Sequence, residues 1–348
     1  MQSRIGFFLG LVMLFTLGWN GHSRKTPTTD PNDPAGDLLA DVLIGRMSVD
    51  TLALAKSRVR GSLNYEKSPN STASFYGTAM LAAEFPDGGS YDLLLNNGTL
   101  TTITVPPNGI EDRRFTQTAE DLAIYLSGAS EGKTITRQYY ADSSVTPTQW
   151  NDDKQWPQEF TNFAGTSISV GGALLGNLLR PGFKRNGNNA QITSALNNGV
   201  FLALHRGHGG RDHWARPNYY AQTDVASLNN QDKLPVVWSI NCETGWFDNE
   251  TDLKGIAGLT DWTGSTEEAL SELWERPSAS SSNPSHDYGA VGIVAATRVS
   301  YSGYNEYLTL GMGDAIWPDL IKGGVIPART PPVCGLPTRT WLGQSCWV

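Results

Sequence analysis

The chain is poor in three things, and each absence closes off a class of proteins. Cysteine occurs only at positions 242, 334 and 346 of 348 residues, so the sulfurs do not behave as a framework set. Cys334 and Cys346 lie close together in a Pro-rich tail, where an exported chain is expected to pair them. Cys242 is then the odd one, either buried and inert or kept for reactivity. Positive charge is also short: 26 Lys+Arg face 34 Asp+Glu, a net charge of -8. That balance leaves no electrostatic footprint for nucleic acid or an anionic membrane surface. Finally, no apolar run reaches the ~20 residues that span a bilayer; the longest covers residues 5–19.

What is present fits an exported globular protein. Arg4 precedes the apolar run Ile5 to Trp19, and a polar stretch follows it, which is the outline of a signal peptide over residues 1–23. Hydrophobic residues make up 39% and charged residues 17%, enough apolar material for a sizeable core. The expected organisation is the signal peptide, a Pro/Asp/Thr-rich linker over 24–40, one domain over 41–325, and a Pro/Cys-rich tail over 326–348. No internal repeat is evident.

Within the domain, short apolar runs alternate with helical spacing. Strands are predicted at 41–45, 75–83, 134–140, 200–204, 234–240 and 290–296. Helices are predicted at 48–59, with Leu52, Leu54 and Val59 on the apolar face, and at 118–126, 191–198 and 266–274. Gly199 stands where a helix commonly ends. The Gly/Asn/Pro/Trp-rich stretch 143–189 reads as one long loop. This alternation predicts an α/β fold with a mostly parallel sheet and helices on both faces, a three-layer sandwich.

In open sheets of this kind, catalytic groups gather at the carboxyl ends of the strands. Two such ends carry unusual residues. The strand ending at Leu204 leads into His205-Arg206-Gly207-His208-Gly209-Gly210, and the strand ending at Ile240 leads into Asn241-Cys242-Glu243-Thr244-Gly245. If those strands are neighbours, His208 and Cys242 share a crevice. A thiol with a pKa near ~8.5 is mostly protonated at neutral pH, so a nucleophilic cysteine needs a nearby imidazole to take its proton. Gly209, lacking a side chain, would let a backbone N–H approach the substrate carbonyl and form an oxyanion hole with the N–H of Cys242. The bland alternatives are a glycine-loop histidine and a core-filling cysteine. Zinc held by His205, His208, Asp212 and His213 is the sharper competitor. Against it, these residues do not share one helix face, and no distant pair clearly completes the set.

These residues resemble the gingipain-type cysteine peptidases, whose catalytic domain is similar to that of caspases. The carriers are Asp41-Val42-Leu43-Ile44-Gly45-Arg46, Glu111 to Phe115, His208-Gly209-Gly210 with Trp214, Leu234-Pro235 leading to Asn241 through Asp248, and Gly289-Ala290-Val291 leading to Ala295 through Arg298. The separation of 34 residues from His208 to Cys242 also looks like the family's.

The resemblance implies a secreted endopeptidase acting on proteins or peptides, with Cys242 as nucleophile, His208 as base and no required cofactor. It suggests Glu84 as an acid beside the imidazole; a solvated glutamate at a strand end is the alternative. It places Asp112 near the acid that receives an arginine side chain in some relatives, although Arg113 and Arg114 offer it a local ion pair instead. Trp214 and Trp246 are either walls of the substrate cleft or core residues. Asp248, Glu250 and Asp252 form either a structural calcium site, as in some relatives, or an ordinary acidic loop. Relative to better-known members, the chain is expected to lack an N-terminal subdomain and to lose the resemblance after Ile321. The competing function is a non-enzymatic secreted relative that binds peptides or a cell-surface partner through the same cleft.

Overall fold

A computed structural model describes residues 45–49, 51–94, 100–128, 131–151, 172–216, 220–247, 268–275, 288–317 and 320. The signal-like segment, the first predicted strand up to residue 44, the acidic residues 248, 250 and 252, and both tail cysteines lie outside that set.

The centre is a five-stranded parallel sheet. Its strands are β1 (Thr78–Glu84), β4 (Thr134–Tyr140), β5 (Leu202–Arg206), β9 (Val236–Ile240) and β10 (Gly292–Ala295), in the spatial order β10-β9-β5-β1-β4. An antiparallel pair, β2 (Gly89–Leu94) with β3 (Leu100–Val105), stands apart from it. So does a small sheet of β6 (Gly209–Gly210), β7 (His213–Trp214) and β8 (Tyr220–Ala221). The helices are α1 (Leu52–Lys67), α2 (Ala73–Tyr76), α3 (Phe115–Ser127), α4 (Asn189–Asn198), α5 (Gln222–Ala226), α6 (Leu270–Trp274) and α7 (Ser302–Ile316).

Strand β1 shows why the sheet must be covered twice. Its side chains alternate between faces, and both faces are apolar. Ala79, Leu81 and Ala83 join one core cluster with Leu122 and Leu126 of α3 and Leu310 of α7. Met80 and Ala82 join the other, with Ile192 and Leu196 of α4, Val225 of α5 and Leu270 and Trp274 of α6. The result is the predicted three-layer α/β sandwich.

Several elements differ from the sequence-based expectation, each for a physical reason. The run at 75–83 is a short helix, α2, followed by β1, because an apolar run carries no period of its own. Strand β5 starts later than predicted and takes in His205 and Arg206, two buried polar residues that disguise its length. Helix α1 turns its predicted apolar positions outward: Leu52 is 71% and Val59 48% exposed, while Ser57, Arg58 and Gly61 are buried. Arg58 there neutralises part of the charge of Glu275, a group whose carboxyl is raised by burial. The β2/β3 pair and α7 were not anticipated. Gly199 does end α4, with φ +100° and its N–H bonded to the carbonyls of Ala195 and Leu196.

The two faces of α3 give a stability test. Leu122 is fully buried under β1, whereas Ile124 is 48% exposed. Leu122→Ala is expected to cost about 2–5 kcal/mol in urea denaturation, through lost burial and a cavity, and Ile124→Ala roughly 0.5 kcal/mol or less.

Candidate active site

The parallel pairing of β5 with β9 matches Arg206 to Ile240. His208 and Cys242 therefore leave the sheet side by side, each two residues past a paired position. The contact between the two loops is tight. A Cβ added to Gly209 would meet Asn241 Cγ at 2.8 Å and the Cys242 carbonyl oxygen at 2.9 Å. Only glycine lets these backbones approach so closely.

A buried polar network fixes the Cys242 loop. Asn241 donates from Nδ2 to Nδ1 of His205 (2.7 Å), and the His205 Nε2–H donates to the carbonyl of Arg216 (2.6 Å). Both ring nitrogens are thus engaged in the neutral tautomer, and burial drives the imidazole down to about 3. Ser239 and Thr244 bond to each other and to Asn241 Oδ1. Trp214 stacks flat on His205, with centroids 4.6 Å apart and planes at 4°, and donates from Nε1 to Ser239. Past Cys242 the chain takes a left-handed turn at Glu243 (φ 59°), an uncommon conformation for a residue with a side chain. The segment after β10 holds that turn: Glu243 N–H donates to the Arg298 carbonyl (3.2 Å) and Gly245 N–H to the Ala296 carbonyl (2.8 Å).

Cys242 is 3% exposed, and its Sγ lies 3.5 Å from the Ser300 carbonyl oxygen and 3.9 Å from the Ser300 hydroxyl. Ser300 in turn donates to the Asn241 carbonyl (2.6 Å) and is held by Asn305 of α7 (2.7 Å). Cys242 is disulfide-bonded in this structure. A disulfide sulfur carries neither thiol proton nor thiolate charge, so nucleophilic chemistry at Cys242 requires the reduced protein.

The His208 ring meets Phe115 edge-on at 5.2 Å. Its pKa falls to about 3, first through burial and then through Arg113, Arg206, His205 and Arg216. It is therefore an uncharged imidazole at neutral pH. Glu84 ends β1, the other neighbour of β5, and its Cβ lies 4.0 Å from where a side chain on Gly207 would begin. Its Oε1 is 3.9 Å from Arg216 Nε, its Oε2 has no hydrogen-bond partner among the described residues, and no hydrogen bond joins it to His208.

The structure removes three candidates from the cleft. Trp214 is fully buried in the stack with Tyr220 and Trp274, because it carries the layer beneath His205. Trp246 is 1% exposed, under the guanidinium of Arg298 at 4.9 Å from its ring centroid. Asp112 is 4% exposed and accepts from the Gly88 N–H at 2.7 Å, so it serves its own loop. No cluster of three or more metal-ligating side chains forms among the described residues. Sequence reasoning missed His205 and Asn241 as a pair, and Ser300 and Asn305; the polar residues inside an otherwise apolar strand were the available signal.

Burial raises the Glu84 carboxyl from 4.5 to about 7, against the opposing pull of Arg216 and then Arg113. The folded state therefore binds more protons than the unfolded one between those values, and stability falls as pH rises through that window. Glu84→Gln stays neutral, so its loss of stability between about pH 5 and about pH 8 is expected to be smaller than the wild type's. The difference should be roughly 1–3 kcal/mol by urea denaturation at the two pH values.

Comparison with known proteins bears on these features. Among solved structures the chain is similar to the Arg-specific cysteine proteinase gingipain R (19% identity, TM-score 0.47, covering 78% of this chain and 43% of that one). It is similarly related to the Porphyromonas gingivalis RgpB pro- and mature-domain complex (18%, 0.48, 79% and 45%). The chain thus spans less than half the length of those proteins. No curated protein matches it. The model of peptidase family C25 matches residues 20–326, and the chain belongs to that family.

Proposed function

We propose that this chain is an exported cysteine endopeptidase, with Cys242 as nucleophile and His208 as base. The observation that carries the reading is the packing of Gly209 against Asn241 and the Cys242 carbonyl, which puts the two strand-end loops in contact. Family membership supports peptide-bond chemistry and protein or peptide substrates.

In the reduced enzyme the Cys242 thiol proton passes to the neutral imidazole of His208. The sulfur then attacks the scissile carbonyl carbon, forming a C–S bond and an oxyanion. Backbone N–H groups of Gly209 and Cys242 are the proposed donors to that oxyanion. Collapse breaks the C–N bond, and the imidazolium returns its proton to the leaving amine. Water, deprotonated by the same imidazole, cleaves the thioester and restores the thiol. Glu84 is assigned to orienting the imidazole, and the reaction as written uses only groups of the chain and water. Export through residues 1–23 is part of the same proposal. A calcium-binding role for Asp248, Glu250 and Asp252 would be structural.

One observation favours a second reading. A disulfide at Cys242 leaves no nucleophile, as suits a relative that binds peptides without cleaving them. The two part on reduction. After treatment with reductant, a peptide bearing a thiol-directed warhead is expected to label the wild type, to fail on Cys242→Ala, and to label His208→Ala about 10²–10⁴-fold more slowly. Equal labelling of wild type and His208→Ala, measured by intact-mass spectrometry, would sink the pairing and leave the binding role.

A further inference from the structure

We propose that the start of α7 beside Cys242, where Arg113 and Arg206 meet at Ser302, receives a substrate side chain bearing a carboxylate, aspartate or glutamate. The proposal rests on the peptidase reading and deepens it.

The acid that would receive a basic side chain is occupied elsewhere. Asp112 accepts from the Gly88 N–H at 2.7 Å and is bonded within its own loop. Its neighbour Arg113 is partly exposed instead, on a loop held firmly. The Glu111 carboxylate accepts from the N–H groups of Thr116 (2.6 Å) and Gln117 (3.2 Å), and Asn151 Nδ2 donates to the carbonyls of Glu111 and Asp112 (2.9 Å each).

Two guanidinium groups converge on Ser302. Arg206 Nη2 donates to the Ser302 carbonyl at 2.7 Å, and Arg113 Nη1 to the Ser302 hydroxyl at 3.4 Å. Ser302 is two residues from Ser300, which lies against Cys242 Sγ. It is also the first residue of α7, a 15-residue helix with no acid in its first turn and no side-chain cap. The N-terminal end of such a helix favours an anion. Arg206 supplies an independent sign of a missing ligand. It is 1% exposed, and its Nε and Nη1 have no hydrogen-bond partner among the described residues. Buried guanidinium N–H groups are costly to leave unpaired, and a carboxylate is their natural acceptor.

Among the described residues two of the carboxylates facing this cluster are committed, and the third, Glu84, which also faces Arg113, has its Oε1 3.9 Å from Arg216 Nε. Both oxygens of Glu306 sit 3.2 Å from Arg114 Nη1, and Glu111 is spent on the amides of α3. The guanidinium groups of Arg113, Arg206 and Arg216 all act on His208. A lysine or arginine side chain would enter a field of its own sign. Tyr301 and Tyr304, 41% and 45% exposed and in edge contact, stand beside the same helix start and offer an apolar shelf for the substrate's neighbouring residues.

Two activity-based probes with the same warhead and peptide, differing only in Asp or Arg next to the warhead, test this on the reduced full chain. The Asp probe is expected to label Cys242 about 10-fold faster or more, as one charge-assisted contact would give. Arg113→Glu is expected to erase or reverse that preference. Because Arg206 is buried and its variants risk misfolding, Arg113→Ala serves as the milder second variant; it should raise the concentration of Asp probe needed for half-maximal rate more than it lowers the maximal rate. Equal labelling by both probes, or faster labelling by the Arg probe, overturns the acidic preference and leaves the peptidase reading standing. If neither probe labels while iodoacetamide still modifies Cys242, the peptidase reading fails and this inference falls with it.

Discussion

The parallel pairing of β5 with β9 is the constraint on which the rest of the site depends. Sheet register is set in steps of one residue, and a slip by one would turn every side chain of β5 to the opposite face. With Arg206 opposite Ile240, the two loops leave the sheet together. The glycine at 209 then allows close contact with Asn241 and the Cys242 carbonyl, which any side chain would block. Pairing of β1 on the other side of β5 brings Glu84 to the same edge.

Burial does two opposite jobs at this edge. It keeps His205 and His208 uncharged, which lets His205 accept the structural bond from Asn241. It also raises the carboxyls of Glu84 and Glu111, to about 7 and about 8. On the proposed reading, Arg113 and Arg206 would favour both a thiolate at reduced Cys242 and an acidic substrate side chain.

The polar network below the nucleophile shows why aromatic residues near a motif do not mark a cleft. Trp214 follows His208-Gly209-Gly210 closely in sequence, and that proximity suggested a substrate wall. Instead its indole lies flat under His205 and bonds to Ser239, so its task is to satisfy and shield buried polar groups. Trp246 is withdrawn in the same way beneath Arg298. Local sequence reports which residues are near a site, but not which way their side chains face.

What the sequence determined by itself was the layered α/β class, the placement of α3, α4 and the strands of the central sheet, and the candidacy of His208 and Cys242. Those follow from periodicity and from chemistry-bearing residues at strand ends, which are local properties. The order β10-β9-β5-β1-β4 was decided only in three dimensions, because strand neighbours are chosen by packing across many residues. So were the His205–Asn241 bond, the inward turn of Asp112, Trp214 and Trp246, and the meeting of Arg113 and Arg206 at Ser302. Each of these joins residues far apart in the chain, and the enclosure that decides their charge and orientation exists only once the sheet and its two helical layers have closed.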